Sequence, residues 1–210
     1  MSGRVKFDGG IITHTDHPVN GMKPLSKELT MTSAFIAVGA VVRISMDNLA
    51  LVAPTPIYGV LLKIGLSETL AFISGFLYGP IVGFICGAFI IVISDFFTYP
   101  GPWTPFIATI IGLIGIGGWI IRRVTGKAQP GYRTLATSAI VLTLMSEVLQ
   151  NAWVAVFYNT PFIPTMITGI PSLITALINN TVFFTLLTPK IIKLVQIKNS
   201  GGTHTNSEIA

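Results

Sequence analysis

Glycine recurs every fourth residue, at Gly75, Gly79, Gly83 and Gly87, inside an apolar run from Leu66 to Asp95. In lipid, helices gain nothing by hiding leucine, so close backbone approach at small residues becomes a main source of association. The stripe therefore constrains the chain to tightly packed helices in a membrane. Read as a single helix, Leu66–Phe97 would extend about 48 Å, too long for a ~30 Å hydrocarbon core. Pro80 lies in the middle of the stripe. Proline costs about 3 kcal/mol in a helix interior but is favoured in a first turn. Gly79-Pro80 therefore reads as a tight turn between two helices. Gly75 belongs to the first of them, and Gly83 and Gly87 to the second, so that the hairpin closes on itself.

Composition agrees with a membrane environment. Only 10% of the residues are charged, against roughly 25% in soluble domains, and mean hydropathy is +0.73. The first 28 residues are polar and lack the apolar core of a secretory signal. The one cysteine, Cys86, lies in an apolar segment and has no partner for an intramolecular disulfide.

The expected fold is an all-α integral membrane protein, a bundle of six transmembrane helices with both termini cytoplasmic. The spans fall at about 29–46, 60–78, 80–97, 103–121, 134–158 and 171–192. Residues 1–28 and 194–210 read as flexible cytoplasmic tails around a membrane domain at 29–193. The second span is the weakest, because it carries Lys63 and Glu68, and its first third could belong to an outer loop. Cation placement sets the orientation. With the N-terminus inside, the cytoplasm receives four Lys/Arg from the first tail, four from 122–133, and Lys190, Lys193 and Lys198. Only Arg43 and Lys63 fall outside, as the positive-inside rule requires. The basic balance thus reflects topology and gives no reason to expect nucleic acid. The expected location is the cell membrane, in contact with lipid.

Polar groups at membrane depth are costly and mark candidate sites. On the fifth span, Glu147, Asn151 and Tyr158 share one helical face, flanked by Gln150 and Trp153. Glu147 lies about 16 Å inward from Tyr158 at ~1.5 Å per residue. Asn179 and Asn180 fall about 12–14 Å into the sixth span on the same rise. The two sets can meet in the outer half of the bundle. A carboxylate, amides and aromatic rings opening outward suit a small polar ligand with a planar ring. For Gln150, Asn179 and Asn180 a helix-bridging role remains an alternative, and for Trp153 packing against a neighbour or lipid. Asp95 and Trp103, beside the Tyr99-Pro-Gly-Pro-Trp-Thr-Pro105 loop, complete the candidates; Trp103 could equally be an interfacial anchor. Arg43, Asp47, Lys63 and Glu68 cluster at the outer ends of the first two spans and suit ion pairs holding a loop.

All three histidines lie in the tails, and His14, Asp16 and His17 have no scaffold to set a metal geometry. No histidine reaches membrane depth and no second carboxylate accompanies Glu147 in sequence. No enzyme, metal site or resident cofactor is expected. No phosphate-binding glycine loop is present, so the chain is not expected to hydrolyse a nucleotide by itself.

The segment Gly75-Phe-Leu-Tyr-Gly79-Pro80-Ile-Val-Gly83-Phe-Ile-Cys-Gly87 resembles the glycine–proline hairpin of S components of energy-coupling factor (ECF) vitamin transporters. Size and topology agree over roughly residues 30–193. The resemblance implies high-affinity capture of a water-soluble vitamin or precursor from outside. It also implies delivery within a complex of one T component and two ATPase subunits. On the first span it implies a small-residue docking face for the T component, with Ser33 and Ala37 as the matching pair and Ala40 continuing the stripe. Serine replaces the family's usual alanine there. The stretch Ser94–Phe106 with Gly112 and Gly115 is similar to the outer loop of cobalamin-type members, which favours a corrinoid or its benzimidazole part. Lys63-Ile-Gly65-Leu-Ser67-Glu68 is similar to a riboflavin-type loop, and riboflavin or another vitamin is the alternative. A membrane scaffold that binds another membrane protein without a small ligand is the competing class.

Overall fold

A computed structural model describes residues 25–52, 65–126 and 129–200 of the chain. The tails with His14, Asp16 and His17, the segment 53–64 with Lys63, and Lys127 lie outside the described residues. Within them the chain forms six helices: α1 (Leu25–Val52), α2 (Leu66–Tyr78), α3 (Pro80–Phe97), α4 (Thr104–Thr125), α5 (Tyr132–Phe157) and α6 (Phe162–Ser200). All but α2 are long and apolar enough to cross a membrane. The cation-rich end, taken as cytoplasmic, is called inner below.

Local chemistry sets the helix ends. Gly79 joins α2 to α3 with φ 110° and ψ 174°, a region open essentially to glycine alone. Its N–H bonds to the Gly75 carbonyl at 3.0 Å, and its own carbonyl accepts from Gly83 at 3.0 Å. Pro80 takes the first turn of α3, where its missing N–H costs nothing. The turn is where the sequence places it. Gly126 ends α4 in the left-handed region at φ 61°. Between α5 and α6, Asn159 adopts φ 51°, and Thr160 N–H reaches back to the Ala155 carbonyl at 2.9 Å.

Two spans differ most from expectation, while α1 runs on to Val52 instead of about 46 and α6 continues to Ser200, into the stretch expected to be a tail. The second is a helix of only 13 residues, about 20 Å at ~1.5 Å per residue. Yet it is the central helix, packed against α1, α3, α4 and α6, and nine of its residues are buried. A helix enclosed by protein need not present a long apolar surface to lipid, which is why it reads as the weakest span. The sixth helix begins at Phe162, nine residues before the expected 171, and runs through Pro171 and Pro189. Each proline removes one backbone hydrogen bond, which neighbouring structure can absorb in a membrane helix.

Glycines bring α2, α3 and α4 into backbone contact. A Cβ on Gly75 would fall on the Gly115 carbonyl, one on Gly83 would lie 2.8 Å from the same oxygen, and one on Gly115 would strike the Gly83 carbonyl. Gly87 serves a different neighbour, since its Cβ would lie 2.6 Å from the Ile111 carbonyl of α4. Beside this junction Phe72, Phe76, Ile90, Ile91 and Ile114 form the core, with Phe72 and Phe184 of α6 at 4.8 Å between ring centres. The outward faces carry Val41, Phe89, Val148, Ile178 and Leu186, all exposed. Lipid tails cover such residues without loss.

Candidate functional site

On α5, residues Thr143, Glu147 and Asn151 follow one another at intervals of one helical turn, so one face carries three polar groups. Thr143 and Glu147 are buried, and Asn151 is half-buried. Asn180 of α6 is buried, and its Nδ2 donates to Thr143 Oγ1 at 2.8 Å. Its Oδ1 is buried without a hydrogen-bond partner and faces Gly65, at the start of α2. A Cβ at Gly65 would collide with that oxygen. Thr69 Oγ1 donates to the Gly65 carbonyl at 2.7 Å, which ties off the first turn of α2. Two turns outward from Thr143, Asn151 Nδ2 donates to the Glu147 carbonyl at 2.8 Å, and its amide lies against Gly169 of α6. A polar ladder thus climbs from the middle of α5 toward its outer end, walled by α2 and α6.

The structure brings Asn180 to Thr143, a turn below Glu147. Because α6 starts nine residues early, Asn180 lies about 27 Å along its helix at ~1.5 Å per residue. That is deeper than the 12–14 Å expected from a start at 171. Sequence reasoning missed Thr143, Gly65 and Thr69. Thr143 stands four residues before Glu147, and that spacing could have revealed it, but threonine is unremarkable in an apolar helix. Asn179 is half-buried, one residue round the helix from Asn180.

Gln150 is turned to its own helix, with Nε2 donating to Ser146 Oγ at 2.8 Å. Trp153 joins an aromatic cluster at the outer end, its ring 5.3 Å from Phe106 of α4, 4.9 Å from Phe157 and 6.4 Å from Tyr158. Tyr158 is 55% exposed. The Phe106–Trp153 contact, tilted at 41°, joins α4 to α5, and the stacked and edge contacts hold Trp153, Phe157 and Tyr158 together at the end of α5.

Asp95 is not available as expected. Both carboxylate oxygens are engaged: Oδ1 by Arg43 Nη2 at 3.2 Å and Oδ2 by Thr104 Oγ1 at 2.7 Å. The side chain is 3% exposed, and its partners draw α1, α3 and α4 together instead of facing a ligand. Arg43 also lies 3.8 Å from Asp47, an ion pair within α1; Lys63, expected in the same cluster, lies outside the described residues. Trp103 folds its ring over Gly101 in the loop before α4. On α1, Ser33 and Ala37 are exposed with Ala34 and Val38. Ala40 is 2% exposed; it points into the bundle, a hundred degrees per residue having carried it off the outer face, and it drops out of any docking surface.

At the inner end Arg122 Nη1 donates to the Phe76 and Leu77 carbonyls, each at 2.8 Å. Its guanidinium lies 5.9 Å from the centre of the Phe76 ring. It satisfies two of the carbonyls that the end of α2 leaves without intrahelical donors.

Five helices fit to cross the membrane around a short buried one define a multi-pass membrane protein with a polar ladder in its midst. The family model described as "ECF-type riboflavin transporter, S component" matches residues 27–194, and the chain belongs to that family. It is therefore a membrane-integral S component of an ECF vitamin transporter, a transporter subunit that works with T and ATPase modules. No curated protein and no solved structure matches the chain.

Proposed function

We propose that the chain captures riboflavin at the polar ladder between α2, α5 and α6. The family matched is the riboflavin-type one, and nothing in it supports the corrinoid favoured by the outer-loop similarity. The observation that carries the site is Asn180 Oδ1, a buried acceptor with no donor. Leaving such a group unpaired costs about 1–3 kcal/mol. A ligand N–H reaching it once the start of α2 gives way would recover that energy, and the imide of a flavin ring carries such a donor. Glu147 and Asn151 line the path outward, and the Tyr158 ring, on the same face of the helix, offers flat apolar surface near the mouth, while Trp153 packs toward Phe106 of α4. Asn179 and Gln150 are secondary members, placed beside the ladder.

The test is titration of purified, detergent-solubilised protein with riboflavin, read by quenching of flavin fluorescence, with cyanocobalamin and thiamine in parallel. Riboflavin is expected to bind, and Glu147→Gln, Asn151→Ala and Asn180→Ala are each expected to weaken it about tenfold or more, a loss of ~1.4 kcal/mol. Binding of cyanocobalamin in preference to riboflavin would overturn the ligand. Unchanged riboflavin affinity in all three variants would overturn the site.

A further inference from the structure

The outer third of α1 is held differently from the rest of that helix. Among the residues whose burial is described, its last buried ones are Gly39 and Ala40; from Val41 to Asn48 none is buried. Gly39 presses on Ile90 of α3, a Cβ there lying 2.7 Å from Ile90 Cδ1. Beyond that contact the polar tie from α1 to its neighbours is Arg43, through Nη2 to the buried Asp95, itself fixed by Thr104 at the start of α4. The Arg43 guanidinium has a second place to rest. Its Nε is buried without a hydrogen-bond partner, and Asp47 Oδ2 lies 3.8 Å from it, one turn along the same helix. The Asp47 side chain is 40% exposed.

We propose that Arg43 is an electrostatic latch: paired with Asp95 it fixes the outer end of α1 to α3 and α4, and turned to Asp47 it lets that end swing about the Gly39–Ile90 contact. An intrahelical pair cannot tie α1 to anything else. The two states therefore differ in whether the outer end of α1 is attached, and each gives the guanidinium a carboxylate. The latched state is the resting one, because withdrawing Arg43 leaves a buried carboxylate with Thr104 as its remaining partner. The same helix exposes Ser33, Ala34, Ala37 and Val38 on its far side. Resting on the reading of that face as the T-component contact, the latch sets the orientation in which it is presented.

Cys86 is the chain's one cysteine and is buried, so a Ser45→Cys/Phe97→Cys double variant accepts two spin labels at exposed positions and no third. Pulsed electron–electron resonance should give one narrow distance distribution. Arg43→Gln should broaden it or add a second population, and Arg43→Lys, which keeps the charge, should leave it narrow. An unchanged narrow distribution in Arg43→Gln overturns the latch. In pull-down with the T component and ATPases, Arg43→Gln should lower capture about fivefold or more, within the range of coupling between sites. Riboflavin affinity should change little. Capture lost on Ala37→Leu but retained on Arg43→Gln overturns the link between latch and docking. Capture retained on Ala37→Leu overturns the docking face itself.

Discussion

Gly115→Ala and Gly117→Ala place the same methyl group two residues apart on α4, and the structure assigns them unequal consequences, a loss for the first and little change for the second. At Gly115 the new Cβ would strike the carbonyl oxygen and carbon of Gly83, with Gly83 Cα at 2.9 Å. These are backbone atoms and cannot rotate away. Ordinary carbon contacts lie at about 3.5–4.0 Å, so α3 and α4 must part by about 1 Å, which forfeits a quarter to a half of each contact across the seam. Overpacking of this kind costs about 1–3 kcal/mol, and the interlock of three helices puts Gly115 at the upper end. Alanine's better helix propensity returns about 1 kcal/mol, leaving a net loss of ~2 kcal/mol. At Gly117 the Cβ meets Leu142 Cδ2 at 2.7 Å, the far end of a flexible side chain. Moving it off its rotamer costs about 0.5–1.5 kcal/mol, which the same propensity gain cancels. Unfolding in mixed micelles with increasing dodecyl sulfate, followed by reaction of the buried Cys86 thiol, reads the difference. Equal midpoints for the two variants would refute the reasoning, because propensity is common to both and only the neighbour differs.

Other expectations follow from the same contacts. Arg122→Gln removes the donor shared by the Phe76 and Leu77 carbonyls; allowing for its exposure, the loss should be about 1 kcal/mol in the same unfolding assay. Equal stability would mean that water replaces the guanidinium at no cost. Thr143→Val keeps the side-chain shape but leaves Asn180 with neither amide end paired. It should destabilise the unliganded protein by about 1–3 kcal/mol, and saturating riboflavin should raise the variant's melting temperature by a different amount from the parent's. An equal rise in both would argue that Asn180 stands outside the ligand site.

Much of the architecture was legible in the sequence because its causes are local. Low charge and long apolar runs imply lipid, and a proline after a glycine can only start a helix or break one. The α2–α3 turn is therefore found at Gly79-Pro80, and the boundaries of α3 at Pro80 and Phe97 agree with the span read from sequence. The start of α6 was not legible. Pro171 looks like a helix start, yet the chain is already helical from Phe162, because an interior proline is tolerated where the bundle absorbs the lost hydrogen bond. That nine-residue extension changes the depth of Asn180.

The site was legible in its residue types and less so in its pairings. Spacing put Glu147 and Asn151 on one face of α5, and they do share it with Thr143. Asp95 illustrates the limit. A lone carboxylate near an aromatic loop reads as a ligand contact, but Arg43, 52 positions earlier, has claimed it. Ala40 shows the same limit for packing, since small residues at helical spacing do not reveal which of them faces a partner and which faces the bundle.

The sequence by itself determined that this chain lives in a membrane as helices, which end carries the cations, where the hairpin turns, and which helix bears the polar face. Each of these depends on hydrophobicity, on the helical period or on one residue's backbone restriction, and needs no knowledge of neighbours. Only the tertiary structure decided that the shortest helix is the central one, that Gly75, Gly83 and Gly115 interlock, that Asp95 pairs with Arg43 of α1, and that Asn180 meets Thr143 with its oxygen unpaired. Those outcomes depend on which faces meet across distances that no local pattern encodes. In lipid that choice is made by close packing and polar pairing, since burial from water does not distinguish one apolar face from another.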